Sequence, residues 1–261
     1  MATYGTYQSD EAVTGQDRVT LNRMSGASQI NKFSYRTVVD TADGDALIIA
    51  DNTTNTPTIL STASTFTVTY NNATEGLGTT GARSLLFSYI DADETQQSGI
   101  LTLTATGSDA TTFTGLGINR VVVLSSGSAK ANTNNITITA TTGGSVQAFV
   151  AALTSVTEQL LIHIPAGKTP ISKHLFLSAE KPTGGGGSPR VTFKMFVYSR
   201  ITQTTYLVFR YLMDTAVENH VVINDPCNFP FSPRDVVYIT ADTTANGTEV
   251  SARLSLNLYE N

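Results

Sequence analysis

The chain has 261 residues, of which 40% are apolar and 14% charged, with a net charge of −5. That length and apolar content suffice for one large or two smaller globular domains and exclude a disordered chain. An acidic balance without a basic stripe argues against nucleic acid as a partner. No apolar run approaches the roughly 20 residues of a membrane helix, so no membrane partner is expected.

Residues 1–30 are polar and nearly aperiodic, and read as an extended arm. Chain termini are ordered only when something ties them down, so an ordered arm would require a neighbouring chain. Met1 to Tyr7 carry neither a basic nor an apolar leader region, so no secretory signal is expected. From Ala46 onward apolar and polar residues alternate, the two-residue period of strands with one buried and one wet face. Strands are predicted over 46–50, 65–70, 83–90, 99–106, 120–125 and 135–141, with turn residues such as Asn71-Asn72 and Asp91-Ala92-Asp93-Glu94 between them. Residues 145–153 fit a short helix and a strand equally well.

The second half is more apolar. Strands are predicted over 160–164, 171–179, 190–199, 205–213, 219–224, 234–241 and 249–259. The last is the clearest: Val250, Ala252, Leu254, Leu256 and Leu258 alternate with Ser251, Arg253, Ser255, Asn257 and Tyr259. Residues 181–189, rich in glycine, form a loop tip. The expected fold is all-β: two β-sandwich or jelly-roll-like domains preceded by the arm. The expected divisions are 1–30 for the arm, 31–155 for an N-terminal β domain and 156–261 for a C-terminal sandwich or jelly roll.

Few residues suit catalysis. Gly76-Leu77-Gly78-Thr79-Thr80-Gly81 has the spacing of a dinucleotide loop, but the residues after it alternate as a strand, where such a site needs a helix. Asp40-Thr41-Ala42-Asp43-Gly44-Asp45 faintly resembles a calcium loop, yet no Glu follows to close it, so an acidic turn is expected. The histidines, His163, His174 and His220, form no metal-binding spacing, although His163 and His174 are expected on adjacent strands. Cys227, the single cysteine, excludes an intrachain disulfide and reads as a structural thiol. No Gly-x-Ser-x-Gly elbow occurs, and the acidic residues fall in turns rather than in a paired arrangement. No cofactor, no metal and no enzymatic activity are expected.

Five segments together resemble a family of virion structural proteins of tailed bacteriophages, over roughly residues 31–261. They are Asn31-Lys32-Phe33-Ser34-Tyr35-Arg36 running on to Asp40, Gly78-Thr79-Thr80-Gly81-Ala82-Arg83, Gly117-Ile118-Asn119-Arg120-Val121, Ile164-Pro165-Ala166-Gly167-Lys168-Thr169, and the alternating C-terminal strand. The residues that carry this likeness, expected to be structural, are Phe33, Asp40, Arg83, Asn119, Arg120, Pro165, Gly167 and Lys168. The resemblance implies a non-enzymatic virion component, present in many copies as a homotrimer; the exterior of the particle is its expected location. Its partners would be itself and the major capsid protein or other virion proteins. Head decoration, as a cement that stabilises the shell, is the leading expectation. A tail-associated adhesin that binds host receptors is the alternative.

Overall fold

The structure is a computed structural model that describes residues 27–50, 53–54, 57–180, 188–224 and 229–261. Cys227, the loop residues 181–187 and residues 1–26 of the expected arm lie outside the described residues. Among the described residues the fold is all-β. In the first half the strands are β1 (Ala27–Val39), β2 (Ala46–Leu47), β3 (Phe66–Thr69), β4 (Ala82–Ile90), β5 (Gln96–Thr102), β6 (Ser108–Ala110), β7 (Gly117–Ser126), β8 (Ile136–Ala140) and β9 (Val146–Val150). In the second half they are β10 (Leu161–His163), β11 (Lys168–Glu180), β12 (Arg190–Ser199), β13 (Thr204–Asp214), β14 (His220–Asn224), β15 (Asp235–Thr243) and β16 (Thr248–Glu260).

These strands make four sheets. Two are ordered β1-β16-β11-β14 and β10-β15-β12-β13, the latter with β2 added on β15. One apolar cluster draws on both sheets. Leu175, Leu177, Val250, Ala252, Leu254 and Leu256 enter it from the first, and Val191, Phe193, Met195, Val237 and Ile239 from the second. The alternation is the cause: each of these strands sends every second side chain inward. Each fully buried Leu, Val or Phe contributes about 2 kcal/mol relative to exposure. The other two sheets, β6-β3-β8-β9 and β5-β4-β7, share a second cluster built on Phe66, Val68, Leu85, Phe87, Ile118, Ile136 and Ile138. All these pairings are antiparallel.

The chain passes between the first two sheets repeatedly. β11 lies in one, β12 and β13 in the other, β14 back in the first, β15 in the second and β16 in the first. β1 begins at Ala27, inside the stretch expected as an arm, and pairs with β16 from Ala27↔Tyr259 to Val39↔Thr248. β2 pairs with β15. Residues 27–47 therefore share sheets with the C-terminal strands, and β3 to β9 leave from and return to that pair of sheets between β2 and β10.

One local expectation is corrected and one open choice is resolved. His163 and His174 are not on adjacent strands: β10 and β11 belong to different sheets, because β10 pairs with β15. Residues 145–153, left open between helix and strand, hold strand β9. Its run Gln147 to Val150 is buried on both faces. Ala148 and Val150 enter the second cluster, whereas Phe149 joins Leu47, Ile49, Leu161, Val236 and Tyr238 in a third. A strand buried on both sides loses the alternation that would have revealed it.

Candidate functional site

The third cluster is a seam between the two pairs of sheets, and polar groups fasten it. Asn119 on β7 donates from Nδ2 to the carbonyl of His163 at 2.8 Å and accepts at Oδ1 from the His163 amide at 2.8 Å. The same Nδ2 reaches Gln96 Oε1 at 2.9 Å. One buried side chain thus satisfies both main-chain groups of a β10 residue from the far side of the seam. Arg200, on the turn after β12, donates to the carbonyls of Leu60 and Leu116 at 2.6 and 3.1 Å. Arg234 pairs with Glu94 at 2.9 Å.

His163 itself is fully enclosed, and Arg200 Nη2 lies 3.3 Å from its Nδ1. A guanidinium only donates, so Nδ1 accepts and the imidazole proton sits on Nε2. Nε2 is buried with no partner. Burial, with Arg200 and then Lys32 nearby, drives this histidine's pKa well below its usual value and keeps it neutral. Gly117 of β7 backs the ring, and a Cβ there would collide with it.

Beside this seam lies a cavity of about 530 Å³. Ser28 to Lys32 of β1 line one wall, and Ser88, Gln96, Asn119 and Arg120 another; Pro165, Lys168 and Leu258 complete it. β1 is an edge strand, paired only with β16, so the cavity runs along its open side. Lys32 shares the inward face of β1 with Ile30 and Ser34 and is 6% exposed. Its Nζ is buried with no hydrogen-bond partner. Burial, assisted by the Arg120 charge, lowers its pKa to about 7. Lys168 is paired with Glu260 at 2.8 Å.

Of the eight residues singled out in the sequence, Asn119, Arg120, Pro165 and Lys168 meet at this cavity. Gly167, two residues after Pro165, has φ +71° and accepts from the Asn261 amide at 3.1 Å, which fixes the turn before Lys168. Arg83 instead donates to the Thr79 carbonyl at 2.9 Å and holds the turn before β4. Asp40 accepts the Gly247 amide at 2.7 Å and ties the end of β1 to the β15–β16 turn. Its acidic neighbours are also engaged: Asp43 pairs with buried Arg36 at 3.1 Å and Asp45 with Lys194 at 2.6 Å. The glycine-spaced loop is built around Glu75, a buried carboxylate. Its oxygens accept from the Ala82, Thr133 and Asn134 amides and the Thr133 hydroxyl. It is a loop that tethers β4 to the segment before β8, and a strand follows it.

Phe33 lies elsewhere, on the outer face of the β1-β16-β11-β14 sheet. The register places Phe33, Arg253, Phe176 and Val222 in one row across all four strands. Phe33 is 46% and Val222 48% exposed, and with His174 the row walls a shallow groove of about 440 Å³. Sequence reasoning missed Lys32, whose signal was its phase: it alternates in step with Ile30, an inward position. Phe176 and Val222 were legible as strand residues, but their alignment with Phe33 depends on pairings across the whole chain.

No protein-family model matches this chain, and no curated protein matches it. Among solved structures it is similar to a chain of the broad bean stain virus cryo-EM structure at 8% identity and TM-score 0.21, over 79% of this chain and 88% of that one. It is also similar to the infectious bursal disease virus VP2 subviral particle at 10% identity and TM-score 0.25, over 91% and 72% of the two chains. A structure of the Gx strain of that virus is matched at 11% identity and TM-score 0.16, over 90% and 81%. All three are virus structures, and at these TM-scores the likeness carries no argument about fold or function.

Proposed function

We propose that this chain is a non-enzymatic virion structural protein that works as a homo-oligomer, with a head-decoration or cement role as the leading reading. The carrying observation is the row Phe33–Arg253–Phe176–Val222. A four-stranded sheet that turns two phenylalanines and a valine outward, around one arginine, presents a face suited to a protein partner. The five sequence segments that resemble tailed-bacteriophage virion proteins supply the setting.

The strand order supports a jelly roll formed by β1, β2 and β10 to β16, with β3 to β9 as a second sandwich inserted between β2 and β10. In this reading the domain division follows sheet pairing rather than chain order. A homotrimer seated on the major capsid protein fits a tile of this kind. Antibody labelling of intact particles that carry the protein tests the placement. Signal over the whole head is expected; particles that stay unlabelled while the free protein is recognised would contradict a virion role. The seam cavity favours a second reading, a tail-associated adhesin, and signal confined to the tail would select it.

A further inference from the structure

We propose that the cavity beside Lys32 is a binding site for a small anionic ligand, a carboxylate or sulfate carried on a polar, sugar-sized body. The site stands on geometry that does not depend on where the protein sits on a particle.

Lys32 Nζ is buried without a hydrogen-bond partner. Arg120 lines the same cavity and makes no ion pair among the described residues. Two like charges set side by side in a partly enclosed space repel, and an unpartnered buried ammonium is costly. No described Asp or Glu lines the cavity to offset them. An anion placed there would supply the missing counter-charge to both cations, and a hydrogen-bond acceptor to Lys32 once its ammonium, enclosed in this structure, turns toward the cavity.

The rest of the wall fits the body of such a ligand. Gln96, Asn31 and Ser28 offer neutral polar groups, whereas Ile30 and Leu258 supply apolar surface. The volume of about 530 Å³ lies in the range of small-molecule sites, roughly 300–1,000 Å³. Asn119 is already committed to His163 and Gln96, so the wall it belongs to is held in place before any ligand arrives.

Calorimetric titration of the full chain with glucuronate, inorganic sulfate and glucose tests the proposal. Glucuronate should bind and glucose should not. Sulfate binding as tightly as glucuronate would assign recognition to the anionic group alone; weaker sulfate binding would add a contribution from the sugar body, and both outcomes support the site. Lys32→Met keeps the length of the buried side chain without its charge, and Arg120→Gln is a surface change that leaves the fold intact. Each should weaken glucuronate about tenfold or more, equivalent to about 1.4 kcal/mol. Equal binding of glucose and glucuronate, no binding of either anion, or unchanged affinity in folded Lys32→Met and Arg120→Gln would overturn it.

Discussion

At the residue scale, the positions that matter most are polar groups inside an apolar frame. Lys32 is the sharpest case. Its folded pKa of about 7 lies below the usual lysine value of 10.5, so between these values the unfolded chain holds more protons than the folded one. Stability should therefore rise as pH increases through that window and carry the full penalty below it. Lys32→Met removes the ionisable group. It should stabilise the free protein at neutral pH by about 2 kcal/mol and flatten the slope, as read by urea unfolding between pH 6 and about 10. Equal pH slopes in the two proteins would show that the lysine is solvated after all.

Asn119 acts differently, because it satisfies two main-chain groups that would otherwise be buried and unpaired. Asn119→Ala should cost about 2–3 kcal/mol, measured by the same denaturation. Glu75 gathers its donors between the loop before β4 and the segment before β8, and Glu75→Ala should cost about 3 kcal/mol by orphaning them. Its effect should add to that of Asn119→Ala in the double variant, since the two share no hydrogen-bonding partner among those described above.

At the element scale, the strands with one buried face were plain in the sequence. β12 follows the alternation from Val191 to Val197 and β16 holds an apolar residue at each inward position from Val250 to Leu258, although Ser255 and Asn257 on its other face are buried as well. β1 was not plain. Its inward residues include Lys32, Ser34 and Arg36, which are satisfied or enclosed by distant segments: Ser34 donates to the Ile48 carbonyl at 2.7 Å, and Arg36 reaches the Leu47 and Thr54 carbonyls. A strand whose inner face is polar has no hydrophobic period to read. β6, three residues long, is too short to show one.

Two outward surfaces compete for a partner. One is the row on the four-stranded sheet. The other is β13, an edge strand with Leu207 52% and Leu212 56% exposed. The sheet row combines aromatic area with an arginine, the composition enriched at interface centres. Phe176→Lys should therefore abolish self-association while changing stability by less than about 1 kcal/mol, because that side chain lies off the core. Leu212→Lys is expected to leave the oligomer intact. Light scattering on both variants, with circular dichroism to check the fold, reads the difference.

At the scale of the whole molecule, the sequence conveyed that the protein is all-β, but not how the chain is apportioned. Sheet membership is decided by pairings such as Lys32↔Leu254 and Leu47↔Thr240, which join residues far apart in the chain and leave no local mark. The same holds for the cavity. Asn119, Arg120, Pro165 and Lys168 were picked out from separate segments, and only the seam shows that they converge. In the proposed reading, with β3 to β9 inserted between β2 and β10, side chains such as Asn119 and Arg200 would hold a unit joined by two connections in one orientation.

The account rests on the outer row of the β1-β16-β11-β14 sheet being a contact between chains. Sedimentation velocity of the purified protein across a range of concentrations tests this most directly. The expected result is one discrete species with the mass of three chains, reduced to a single-chain species by Phe176→Lys. A protein that sediments as a single chain at every concentration, or an oligomer that Phe176→Lys leaves unchanged, would contradict it.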